Sequence, residues 1–140
     1  MQHLSIALAC PPICALLLFA GRTPFYTHET ILDAIHVVES TGRTKSVPAG
    51  DSGRSIGPLQ ISRRYWQDSK VEGHYRDCLD LDYARRVVAA YMRRWAPGAW
   101  AHHDAEVIAR VHNGGPRGMR KQATVRYWLR VKGVLELQRH

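Results

Sequence analysis

Apolar residues recur along this chain with the period of helices. Ile31, Ala34, Ile35 and Val38 fall at i, i+3, i+4 and i+7, the buried stripe of an amphipathic helix. Thr27 stands before it in a capping position, and Thr41-Gly42 ends it. Residues 43–55 are polar and carry glycines, which predicts a loop or a short hairpin. A second helix is predicted from Pro58 to about Gln67, with Ile61 and Tyr65 inward, because proline suits the first helical position. Residues 69–77 read as a polar link. Ala84, Val87, Val88, Tyr91 and Trp95 share one face of a long core helix that starts at Asp80 or Asp82 and stops at Pro97-Gly98. Asp104 caps the next helix, whose inward positions are Val107, Ile108 and Val111, and Asn113-Gly114-Gly115-Pro116 turns the chain after His112. Thr124, Tyr127, Trp128, Val131 and Val134 mark a final helix, with fraying expected from Leu135 onward. The whole predicts a mainly α chain.

The N-terminal end follows another pattern. Leu4 to Ala20 is a nearly continuous apolar run broken by Pro11-Pro12, and the first charged side chain is Arg22. The run is short for a membrane span, so residues 1–20 read as a secretory leader cleaved near Leu18-Phe19-Ala20, with a retained N-terminal anchor as the rival reading. Residues 21–140 then form one domain, exported to the periplasm or the medium, and membrane contact would come only through an uncleaved leader. Two of the three cysteines, Cys10 and Cys14, lie in the leader, which leaves Cys78 alone and without an assigned role.

Two carboxylates stand out against the helical pattern. Glu39 lies one turn past Ile35 on the apolar stripe, near the negative end of the helix dipole, and both circumstances favour a protonated carboxyl. Asp51 sits in Pro48-Ala49-Gly50-Asp51-Ser52-Gly53, where water and backbone amides keep it ionised. An acid and an ionised carboxylate in contrasting surroundings suggest a proton donor and a nucleophile.

The formal charge of +8 suits an anionic polymer, and at ~0.15 M salt its reach is only about 8 Å. The arginines are spread over several segments with no recognition motif, so specific nucleic-acid binding is not expected. The eight histidines include the adjacent pair His102-His103, whose side chains diverge, while His28 and His36 do not share a helix face; no metal site is expected.

Several blocks then occur in a telling order. They are Val38-Glu39-Ser40, Asp51-Ser52-Gly53, Gly57-Pro58-Leu59-Gln60-Ile61, Tyr65-Trp66-Gln67-Asp68, Val88-Ala89-Ala90-Tyr91-Met92, Ala109-Arg110-Val111-His112-Asn113-Gly114-Gly115-Pro116 and Tyr127-Trp128. Over Ile31 to Val131 the chain resembles the invertebrate-type (destabilase-like) lysozymes. The resemblance implies a lysozyme-like fold of about five helices around a substrate cleft, with a loop or small hairpin carrying the aspartate. It implies retaining hydrolysis of the β-1,4 bond between N-acetylmuramic acid and N-acetylglucosamine in peptidoglycan, by a monomer without cofactor, and chito-oligosaccharide as a simpler ligand. Glu39 maps onto the acid and Asp51 onto the nucleophile, while Gln60, Tyr65, His112, Asn113 and Gly114 are candidates for holding the sugars. The family's disulfide framework is absent here. Ser62 follows Gln60-Ile61 where an isopeptidase lysine is expected, so Ser55 alone does not support that second activity. The rival readings are a lytic transglycosylase, which needs no aspartate, and a wall-binding or inhibitor module without turnover.

Overall fold

The structure is a computed structural model that describes residues 26–40 and 55–139. The apolar N-terminal run expected to be a leader, and the polar stretch that carries Asp51, lie outside the described residues.

The first helix, α1 (His28–Ser40), begins at a reciprocal cap. The Thr30 amide donates to Thr27 Oγ1 at 3.2 Å, and the Thr27 amide donates to Thr30 Oγ1 at 3.0 Å. Its stripe of Ile31, Ala34, Ile35 and Val38 is buried as the spacing predicts.

The second helix differs from its expectation. Gly57-Pro58-Leu59-Gln60 does not open a helix; it is the turn between the strands β1 (Ser55–Ile56) and β2 (Ile61–Ser62), which pair antiparallel. Gly57 (φ 76) and Gln60 (φ 49) adopt left-handed backbone that a regular helix does not contain. The helix α2 (Arg63–Ser69) starts only after Ser62, whose side chain accepts from the Tyr65 amide. A short 3-10 turn (Tyr75–Leu79) interrupts the predicted polar link and buries Cys78. Burial pushes that thiol up to about 11, with Asp77 adding to the effect.

The long core helix is α3 (Leu81–Trp95), capped by Asp80 through the Tyr83 amide at 2.8 Å. Pro97 ends it and then serves as the first residue of a single-turn helix, α4 (Pro97–Ala101). Asp104 caps α5 (Ala105–Gly114), accepting from the Val107 amide at 3.1 Å. A 3-10 turn (Gly118–Arg120) leads to α6 (Ala123–Leu137). Leu135 is buried and inside this helix, so fraying does not start there, because the side chain still has core to pack against.

Helix α6 lies along both α1 and α5, and α3 packs on α2 and α5. Ile31, Ile35, Val87, Val88, Met92, Ile108, Val131 and Leu135 fill the interior between them. Arg85 pairs with Asp33 to tie α3 to α1. Six α-helices rather than five surround this core among the described residues, the sixth being the single turn of α4.

Candidate active-site cleft

A cleft of about 630 Å³ opens between α2, the end of α3 and the turn after α5. Four of the five residues expected to hold sugars line it: Tyr65, His112, Asn113 and Gly114. Gln60 does not; its side-chain amide donates to the Gly57 carbonyl at 2.7 Å and braces the hairpin turn.

The cleft floor is a fixed hydrogen-bond chain. His112 Nε2 faces the Leu59 carbonyl at 3.0 Å, and a carbonyl can only accept, so Nε2 carries the proton. Burial lowers the His112 pKa, against the opposing pull of Glu39 and the Leu59 carbonyl, which leaves the ring neutral. Nδ1 is then an acceptor, and Tyr65 Oη donates to it at 3.3 Å. With both nitrogens engaged, His112 positions its neighbours and has no free nitrogen to act as a base.

Tyr65 is held from its other face by Tyr91, the rings stacked at 3.6 Å between centroids. Burial, and secondarily Tyr91, raises the Tyr65 pKa well above 10.0. Burial with the charge of Asp68 pushes Tyr91 up to about 12, with Arg64 acting in the opposite direction. Both phenols therefore stay protonated; with its proton given to His112, Tyr65 can only accept from a ligand, while Tyr91 can donate.

Glu39 is half-buried at the last turn of α1. That turn is anchored by Arg130, whose guanidinium donates to the Val38 carbonyl at 2.9 Å, a favourable place for a cation at a helix C-terminus. Beside Glu39 the Tyr127 hydroxyl is buried without a partner in full hydrogen-bond geometry. Burial first, and the Glu39 carboxylate second, hold that phenol well above its usual pKa. The Glu39 charge thus acts on Tyr127 and on His112 of the cleft floor, and Glu39 itself is not among the residues lining the described cleft.

Tyr91 is buried in the core as its spacing predicts and also borders the cleft, whereas Trp95, expected inward, is 40% exposed and lines it. Arg64 and Asp68 were also missed, although their spacing from Tyr65 puts all of them on one side of α2. Trp66, next to Tyr65, does not line the described cleft; its indole donates to Tyr83 Oη at 2.9 Å.

Residues 28–134 match the family model described as Destabilase. The chain belongs to the destabilase family of lysozymes. A lysozyme of Meretrix lusoria is 35% identical over 105 residues, covering 74% of this chain and 86% of that protein. Invertebrate-type lysozyme 6 of Caenorhabditis elegans is 32% identical, over 87% of this chain and 95% of its own length. The match to a Magallana gigas lysozyme is 40% identical but spans 55% of this chain and 58% of that protein. Among solved structures, the Tapes japonica lysozyme superposes with a TM-score of 0.62 at 29% identity, covering 74% of this chain and 86% of its own. The Meretrix lusoria lysozyme in complex with PliI of Aeromonas hydrophila gives 0.61 at 32% identity, with 75% and 88% coverage. As a destabilase-family chain, this protein has the mainly α, lysozyme-like fold expected from its sequence blocks, and its cleft lies where α2, α3 and α5 meet.

Proposed function

We propose that this chain is a muramidase that hydrolyses the β-1,4 bond between N-acetylmuramic acid and N-acetylglucosamine with retention of configuration. The observation that carries this reading is the half-buried Glu39 at the anchored end of α1, backed by Tyr127 and neutral His112, in a chain of the destabilase family. In this reading Glu39 gives its proton to the leaving oxygen as Asp51 attacks the anomeric carbon. Glu39 then takes a proton from water, which displaces Asp51 and releases the sugar. Tyr65, Asn113 and the Gly114 backbone hold the glycan, and His112 keeps Tyr65 in place. The apolar residues 1–20 support export of a domain spanning residues 21–140, to a place where cell wall is within reach. An inhibitor of the PliI kind is a matching partner, since such a protein is bound to the Meretrix lusoria lysozyme.

The test pairs product masses with the rate of one variant. Asp51→Asn should lose at least ~100-fold in rate, because an amide can neither attack nor balance the developing positive charge. The parent's products should carry ordinary reducing ends. Products lighter by one water, with a 1,6-anhydro end, together with an unimpaired Asp51→Asn variant, would establish a lytic transglycosylase instead.

A further inference from the structure

The described residues lining the cleft include three cations, Arg64, Arg117 and Lys121, against one carboxylate, Asp68. Their commitments differ. Lys121 donates its ammonium to the Gly114 carbonyl at 2.6 Å and so fixes the turn after α5. Arg110, on the outer side of that turn, is taken up by Glu106, the Thr124 hydroxyl and the Met119 carbonyl. Arg64 and Arg117 are exposed, and among the described residues neither side chain makes a hydrogen bond or an ion pair. Arg64 stands one turn before Asp68 on α2, yet the two do not pair.

Two uncommitted guanidiniums on one cleft call for an anionic ligand. A neutral β-1,4 glycan offers only hydroxyls and amides. Muramic acid adds a lactyl arm that ends in a carboxylate, or in a peptide stem that carries carboxylates of its own. Guanidinium meets carboxylate through paired N–H donors, and beside Tyr91 and Trp95 the local dielectric is lower than in open water.

We infer that Arg64 and Arg117 are specificity-determining residues that bind the carboxylates borne on the side arm of muramic acid. The cleft therefore selects acidic, muramoyl-bearing glycan over neutral chitin-type glycan. This rests on the muramidase reading and names the part of the substrate that the cleft distinguishes. Global charge is a separate effect, since it speeds encounter with any anionic surface and makes no choice between sugars.

The test measures binding in the Glu39→Gln background, where no turnover is needed. Three ligands are compared: a peptide-bearing muramoyl oligosaccharide, the same glycan stripped by an amidase to its bare lactyl carboxylates, and a neutral chito-oligosaccharide of equal length. Arg64→Gln combined with Arg117→Gln should weaken acidic ligands about tenfold relative to the neutral one. Arg93→Gln combined with Arg126→Gln removes the same charge from exposed positions outside the cleft lining and should change that ratio less than about twofold. A loss confined to the stripped ligand assigns the lactyl carboxylate, a loss confined to the peptide-bearing one assigns the stem, and a loss shared by both means that the pair takes either carboxylate. An unchanged ratio, or an equal loss in the outer pair, overturns the inference. A parent without turnover would strike at the muramidase reading and leave the binding ratio to be judged by itself.

Discussion

Tyr65 and His112, 47 positions apart in the chain, share one hydrogen bond whose direction is set by a third residue. Because the Leu59 carbonyl occupies His112 Nε2, the phenol must donate to Nδ1, and the ring must be neutral for that bond to exist. Its folded-state pKa is lowered from 6.5 by burial. As pH falls through about 6.5, the unfolded chain takes up a proton that the folded chain refuses. Stability therefore drops on acidification, down to the folded-state pKa. Thermal melts from neutral pH down to about pH 5 should show a steeper loss in the parent than in His112→Gln, and equal slopes would refute this role.

The neighbouring phenol makes a contrasting forecast. Tyr127 buries its hydroxyl without full hydrogen-bond geometry, so Tyr127→Phe removes a desolvated polar group and leaves the ring packing in place. The variant should melt at or above the parent's temperature. Tyr127→Ala, which empties the site, should cost roughly 3–5 kcal/mol. A clear loss of stability in the phenylalanine variant would mean that the hydroxyl is better satisfied than its geometry indicates.

Glu39→Gln keeps shape and removes the proton donor. Turnover should fall by ~10²–10⁴-fold, while folding and glycan binding stay close to the parent's. Residual activity above about a tenth of the parent's, measured by wall-clearing rate, would sink the assignment of Glu39 as the acid.

Gly57 is the most constrained point of the hairpin. Its φ of 76° is left-handed, and a Cβ there would lie 1.9 Å from the Cys78 carbonyl oxygen, a backbone atom that cannot swing aside. Gly57→Ala should destabilise by more than ~2 kcal/mol and disturb the cleft floor, because Leu59 in the same turn holds His112. A denaturant midpoint unchanged from the parent would contradict this.

The pattern of side chains was enough to place α1, α3, α5 and α6, since each buries a face at helical spacing and three of them carry a capping side chain that is visible in the sequence. It also put Tyr65, His112, Asn113 and Gly114 together as candidates, through the order of sequence blocks, and the fold gathers all four on one cleft. It failed at Gly57-Pro58, where a good helix-start signal lies inside a hairpin turn. Local propensity at a proline is worth little beside the close backbone contact between Gly57 and Cys78, which no local pattern encodes.

What the linear sequence determined, then, was whatever depends on neighbours within a turn or two: helix faces, caps, the placement of Glu39 at a helix end, and the excess of positive charge. Tertiary structure alone decided where the core gives way to the cleft. Trp95 keeps the helical register of Val88 and Tyr91, yet it is 40% exposed and lines the cleft, while Tyr91 stays buried against Tyr65. It also decided which cations are free. Arg64, Arg110, Arg117 and Lys121 are indistinguishable as charges along the chain, and only the positions of Glu106, Met119 and Gly114 in space commit two of them and leave the other two on the cleft lining without such a partner. Hydrogen-bond commitment is a matter of a few ångströms between residues whose order in the chain says nothing about that distance.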